Sequence, residues 1–293
     1  MKIEVVETEY GFAGRFQAMA SPCECLVESF NRKLANQIIE SVAKEAFRIE
    51  HKFSRYRDDN LCSQINRSNG RAVTIDAETY ELLVFADNCY QLSDGLFDLT
   101  SGILRKAWKF TPDAPIPTQD AIDILLPYIG WPKVKFDKKQ ITLPQEMEVD
   151  FGGIGKEYAV DKAAQIASEI SPKTSVVVNF GGDLRVTNKP KRKPQWQIGV
   201  DSHLANLTKT VAISVGAVCT SGDTERYILH QGKRYSHILN PKTGWPIENA
   251  PKTITVISDH CLQAGILATL AMLQGQSAEE FLTSNQVKYY CQR

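Results

Sequence analysis

Two runs of chain that end on Gly-Gly pairs constrain this sequence more than any other feature. Residues 148–151 lead into Gly152-Gly153, and residues 176–180 lead into Gly181-Gly182. Both runs read as short strands. A strand that ends on two glycines can turn sharply, because glycine enters backbone conformations closed to other residues. The turn is also bare of side chains, so a ligand can approach the main chain. The first pair opens a helix expected over 156–170, with Ala159, Ala163, Ile166 and Ala167 inward and Ser171-Pro172 as its stop. The two units form a faint internal echo, without a fixed-period repeat.

The rest of the pattern is α+β. Leu34, Ile38, Val42, Ala46 and Ile49 recur at helical spacing over 31–51. A helix over 76–92 has Asp76 as its cap and a buried stripe of Leu82, Leu83, Phe85, Ala86 and Cys89. Ile122, Leu125, Leu126 and Ile129 give a short helix before Gly130. Residues 261–273 form a late helix closed by Gly275, and another starts at Ser277. Strands are expected at 134–136 and 140–143, paired around Asp137-Lys138, and at 196–200, 211–215, 226–229, 253–258 and 287–290. Residues 53–70 and the proline-rich 111–120 read as surface loops. Many short, hairpin-like strands argue against a doubly wound parallel sheet. The chain reads as one unit, 1–293, with no marked boundary between subdomains.

Composition excludes some functions. Lys+Arg is 34 and Asp+Glu is 34, so no global field draws the chain to nucleic acid or an anionic membrane. The basic run 189–193 reads as a solvated loop. The seven cysteines, at 23, 25, 62, 89, 219, 261 and 291, are odd in number and scattered. They imply no disulfide framework. Cys23 and Cys25 would share a strand face, but no second pair completes a zinc site. No signal peptide or membrane span is visible, and the cytoplasm is the expected compartment.

Five blocks carry candidate chemistry. In 150–161, Gly152, Gly153 and Gly155 precede Lys156, so helix N–H groups and one cation can hold a phosphate. The spacing is neither a dinucleotide fingerprint nor a Walker loop, and a tight turn with a surface lysine explains it equally. In 179–185, Asn179 and Asp183 flank Gly181-Gly182. They suit a heterocycle or ribose, or else a β-turn with an Asx-turn at Asp183. Residues 220–227 offer hydroxyls, Thr220, Ser221 and Thr224 among them, or a polar turn. In 237–246, His237 stands at a strand end beside a Pro/Gly loop with Lys242 and Thr243, where imidazole can move a proton or hold a phosphate. In the late helix, Gly265 and Thr269 share one face.

Taken in order, the blocks resemble the FAD:protein FMN transferases, once described as thiamine-biosynthesis lipoproteins. Met19-Ala20-Ser21 is similar to the family's Met-Gly-Thr. The 95–98 segment is similar to Gly-x-Phe-Asp, and Gly152-Gly153-Ile154-Gly155-Lys156 with 158–161 to Gly-Gly-Ile-Ala-Lys-Gly-Tyr-Ala-Val-Asp. Residues 179–183, 220–222 and 237–244 are similar to Asn-x-Gly-Gly-Asp, Thr-Ser-Gly and His-Ile-x-(Asp/Asn)-Pro-x-Thr-Gly. The resemblance implies a T-fold-like architecture of largely antiparallel sheets flanked by helices. It implies cleavage of the FAD pyrophosphate with Mg2+, and attachment of FMN to a Thr or Ser of an acceptor flavoprotein. His237, Thr220 and Ser221 would stand at the phosphates. Met19, Ser21, Gly152, Gly153, Lys156, Asp161, Asn179, Gly181, Gly182, Asp183, Lys242 and Thr243 would line the flavin nucleotide. The Gly155 carbonyl and Thr269 would hold the metal.

Two positions depart from that pattern. The family's metal-ligating Asp is Gly265 here, and Glu157 replaces a glycine. Asp259, Asp183 or Gln263 are candidates to replace the lost oxygen. An impaired, FAD-binding protein is the alternative, and on that reading Gly265→Asp should raise turnover.

Overall fold

The computed structural model describes residues 2–111, 114–200, 209–223 and 226–293. Part of the proline-rich 111–120, together with Thr224 and Glu225, lies outside the described residues. The chain opens with three strands, β1 (Glu4–Thr8), β2 (Gly11–Ala18) and β3 (Ser21–Val27), followed by α1 (Arg32–Phe53) and α2 (Leu61–Asn66). Next come β4 (Ala72–Thr74), α3 (Ala77–Leu92), α4 (Gln119–Asp123), β5 (Lys135–Phe136) and β6 (Gln140–Thr142). Then follow α5 (Gly155–Ile170), β7 (Val176–Phe180), β8 (Asp183–Val186), β9 (Trp196–Val200), β10 (Lys209–Ile213) and β11 (Gly216–Gly222). The chain ends with β12 (Tyr227–His230), β13 (Lys233–Ser236), β14 (Thr253–Ser258), α6 (Cys261–Leu273), α7 (Ala278–Ser284) and β15 (Lys288–Gln292).

Eight strands form one sheet in the order β1-β2-β3-β7-β8-β11-β14-β15, antiparallel at every pairing. Three helices cover one face in matching order: α1 over β2 and β3, α5 over β7 and β8, α6 over β11 and β14. Alternate side chains leave the other face. Val177, Leu184 and Val218 pack there against Trp196, Val211 and Ile213 of the β9–β10 hairpin. A further apolar cluster lies off the sheet, built on Ile103, Leu104, Trp108 and Ile122. The basic run is held down: Glu28 accepts the N–H groups of Lys191 and Arg192, and Lys193 lies 3.6 Å from the centre of the Trp196 ring.

The expected strand at 148–151 does not form. Asn66 takes the place of a neighbouring strand: its Oδ1 accepts the Val149 N–H at 2.7 Å and its Nδ2 donates to the Val149 carbonyl at 3.0 Å. The side chain satisfies the backbone without a ladder. The segment then tightens into a 3-10 turn, Phe151–Gly153, ahead of α5.

Candidate active site

The second glycine pair closes β7 onto β8 as a two-residue hairpin, Phe180 opposite Asp183. Gly181 and Gly182 have φ of 61° and 95°, as a tight hairpin of this twist requires. Gly181 is also crowded, since a β-carbon there would lie 2.7 Å from Ser21 Cβ. Its N–H donates to the Pro22 carbonyl, so the turn is tied to the β2–β3 hairpin. Met19 and Ala20, at the tip of that hairpin, both have positive φ, and the Met19 N–H donates to Glu50 Oε1 at 2.9 Å.

Asn179 and Asp183 divide the work differently from the sequence expectation. Asn179 Oδ1 accepts the Gly182 N–H at 2.9 Å, so Asn179 closes the turn. Asp183 makes no local Asx-turn. Its buried carboxylate accepts the Thr220 N–H at 3.1 Å and pairs with Lys156 Nζ at 2.7 Å. Lys156 stands in the first turn of α5. Burial opposes its charge, but Asp183 and Glu157 outweigh burial and hold the ammonium charged. Ile154, the residue before α5, has no side chain to cap it. The first helix N–H groups and Lys156 therefore make an electropositive end. Beside it Asp150, held by Arg55, accepts the Gly152 N–H, and Gly153 packs against the Phe97 ring.

Glu157 follows Lys156 and is buried. Burial, then the Asp183 charge, raise its carboxyl pKa, and Lys156 works the other way. Its Oε2 has no hydrogen-bond partner among the described residues. Across from it lies Gly265 of α6. A β-carbon at 265 would stand 2.4 Å from Glu157 Cγ and 3.1 Å from its carboxyl carbon. Glu157 thus fills the space that a side chain at 265 would take. The two departures noted in the sequence are one packing arrangement. Thr269 is half-buried one turn further along the same face.

The other candidate oxygen donors separate. Asp259 is exposed, and Gln263 Oε1 accepts from the Ser258 hydroxyl at 2.7 Å. Asp183 belongs to the cluster. No group of three or more His, Cys, Asp or Glu stands at metal-holding geometry among the described residues. The cluster offers carboxylate and hydroxyl oxygen instead, with one buried oxygen left over, which suits a hard divalent cation.

Asp161, expected at the nucleotide, is committed elsewhere. Its oxygens accept the Cys261 and Leu262 N–H groups at 3.0 and 2.9 Å and hold Arg185 at 2.8 Å. It caps α6 from α5. Thr220 and Ser221 point to opposite faces of β11, as strand alternation demands. Cys219 meets Cys261 of α6, with the sulfurs 3.2 Å apart. Ser221, two residues on, shares that helix-bearing face with Asp183. Thr220 pairs with the Thr255 hydroxyl at 2.8 Å on the other face.

His237, Lys242 and Thr243 form a second group, backed by aromatic rings. The His237 ring meets Phe110 edge-on, and Trp108 packs beside Phe110, Tyr235 and Trp245. His237 Nδ1 lies 3.0 Å from the Arg226 carbonyl. A carbonyl only accepts, so Nδ1 carries the proton and Nε2 presents a lone pair. Burial lowers the His237 pKa, and the imidazole is neutral near pH 7. Lys242 reaches Asp94 at 3.1 Å in solvent, and the Thr243 hydroxyl accepts the Trp245 N–H. The Trp108 indole donates to the Gly244 carbonyl at 2.8 Å and seats the loop. No hydrogen bond or ion pair joins this group to the Lys156 cluster among the described residues.

An eight-stranded antiparallel sheet lies under three helices, with a half-buried lysine paired to a buried aspartate beside a glycine hairpin. Residues 19–291 match the model of the ApbE family, and the chain belongs to that family. It is 27% identical over 267 residues to the FAD:protein FMN transferase of Haemophilus influenzae, covering 86% of this chain and 76% of that one. It is 28% identical over 260 residues to the enzyme of the same name from Klebsiella pneumoniae, covering 86% and 79%. The crystal structure of the ApbE protein of Thermotoga maritima superposes with a TM-score of 0.86 at 29% identity, covering 99% of this chain and 94% of that one.

Proposed function

We infer that this chain transfers the FMN half of FAD to a Thr or Ser hydroxyl of an acceptor flavoprotein and releases AMP. The observation that carries the reading is the family match, which spans every block of the site from Met19 onward, together with relatives that bear this activity in their names. The chemistry of the residues agrees with it. The glycine turns 152–153 and 181–182, with Met19, Ser21 and Asn179, give a bare surface for the flavin nucleotide. Lys156 and the open N-terminus of α5 set positive potential where the pyrophosphate oxygens carry charge. His237, with Nε2 free, is suited to take the proton of the acceptor hydroxyl as its oxygen attacks phosphorus. The new bond is the phosphoester. The bond that breaks is the pyrophosphate P–O bond, and its electrons leave with AMP. Ser221 is the hydroxyl better placed to meet a phosphate oxygen, and Lys242 and Thr243 offer donors from the second group.

Mg2+ would neutralise charge on the pyrophosphate oxygens. Gly155, through its carbonyl, and Thr269, through its hydroxyl, are residues to hold it. The impaired, FAD-binding reading drew on a missing carboxylate at 265, and Glu157 now stands in that space. No helix among the described residues is long and apolar enough to cross a membrane. The reading is tested by incubating the protein with FAD and a candidate acceptor, with and without Mg2+, and following AMP by chromatography. Metal-dependent AMP release supports it. FAD that stays intact with every acceptor overturns it.

A further inference from the structure

We propose that Glu157 is the carboxylate ligand of a divalent cation, and that Gly265 exists to make room for it. The proposal deepens the transferase reading and rests on it for the cation's role at the pyrophosphate. Two independent observations carry it. First, Glu157 is 9% exposed and its Oε2 has no partner among the described residues. A buried carboxyl oxygen without a partner is costly, and a bound cation removes the cost. Second, the space is shaped for this side chain. The Glu157 carboxyl carbon lies 3.1 Å from where a β-carbon at 265 would be, on the α6 face that also carries Thr269. A carboxylate from α5 therefore reaches the volume that a short acidic side chain on α6 would reach.

The arrangement predicts reciprocity. A carboxylate is needed once, from either helix, and the opposite position must then be glycine. Mn2+ is the probe, its binding read by the loss of its free electron paramagnetic resonance signal on titration into FAD-loaded protein. The variants are Glu157→Gln, Gly265→Asp and the double variant Glu157→Gly/Gly265→Asp. Glu157→Gln should bind Mn2+ about tenfold or more weakly, the least that even an outer partner's loss costs a metal site. Its FAD affinity without metal should stay as in the wild type. The double variant should regain Mn2+ affinity to within about threefold of wild type, since the ligand set is restored. Wild-type Mn2+ affinity in Glu157→Gln, or a double variant that binds no better than Glu157→Gln, overturns the proposal. In-gel flavin fluorescence of an acceptor separates the two levels. Transfer with unchanged Mn2+ affinity in Glu157→Gln sinks the ligand proposal alone. Loss of Mn2+ affinity in a protein whose wild type never transfers FMN leaves the cation site standing and sinks the transferase reading.

Discussion

The Lys156 cluster and the His237 group differ in how much freedom their surroundings leave. The first sits where α5, α6 and the sheet meet, and its members touch: Lys156 on Asp183, Asp183 on the Thr220 backbone, Glu157 over Gly265. Nothing there can change alone. The second group sits on a loop over an aromatic cluster. Its bonds are local: Lys242 N–H to Asn240 Oδ1, Trp245 N–H to Thr243 Oγ1, His237 Nδ1 to a carbonyl. Side chains there can change one at a time. Substitutions in a close-packed site couple energetically to their neighbours, while those in a loop site are closer to independent.

Single substitutions sharpen this contrast, and the largest effect is expected at His237. His237→Gln should lower the FMN transfer rate by about 10²–10⁴, the usual worth of a positioned base, with little change in thermal stability. The wild-type rate, plotted against pH, checks the same claim. Burial lowers the His237 pKa, so the imidazole stays neutral and active as pH falls through 6.5. The rate should be lost only below that value. An acid limb above pH 6.5 would break the assignment.

Lys156→Met should cost about 10²–10³ in rate, as removal of one charge-stabilising donor does. It should also lower the melting temperature, because it strands Asp183 buried and unpaired. Loss of both together marks the close-packed site, and loss of rate alone would erase the contrast with His237.

Gly265→Asp is expected to lose stability by about 1–3 kcal/mol through overpacking against Glu157. On the impaired, FAD-binding reading the same substitution should instead raise turnover, so an activity assay of this variant separates the two readings. Thermal melting of this variant and of the double variant reads the coupling directly. Additive effects would contradict the paired arrangement.

Lys242→Ala should be the quietest change. Its ion pair with Asp94 is solvent-exposed, and such pairs contribute about 0–1 kcal/mol. A melting shift at the edge of detection is expected, and KM for FAD tells whether Lys242 serves the nucleotide at all.

The sequence was most legible where spacing and caps agree. The helix read over 31–51 is α1, with Asn31 accepting the Leu34 N–H, and Asp76 caps α3 as expected. The hairpin around Asp137 is present, although its third strand, β4, gave no sign. β2 and β3 escaped because glycine, alanine and cysteine replace most of the usual branched residues there. The strand read at 148–151 failed because a distant side chain, Asn66, satisfies that backbone. The site divides in the same way. The Gly181-Gly182 turn and Lys156 were visible as local chemistry. The bond from the α6 N-terminus to the Asp161 carboxylate could not be read, because nothing in one dimension shows α6 starting there. Glu157 looked like a flaw because its partner, Gly265, lies on another helix. Aligned motifs show which residue is missing, but only packing shows what has filled its space.

The most direct test of the account is the stoichiometry of transfer. The protein, FAD, Mg2+ and an acceptor flavoprotein are incubated together. AMP is measured by chromatography, and FMN on the acceptor by mass spectrometry of its Thr- or Ser-containing peptides. AMP and FMN-bearing peptide are expected in equal amounts, both lost without the metal. AMP without modified peptide, or bound FAD that stays intact in the presence of metal and acceptor, would contradict it.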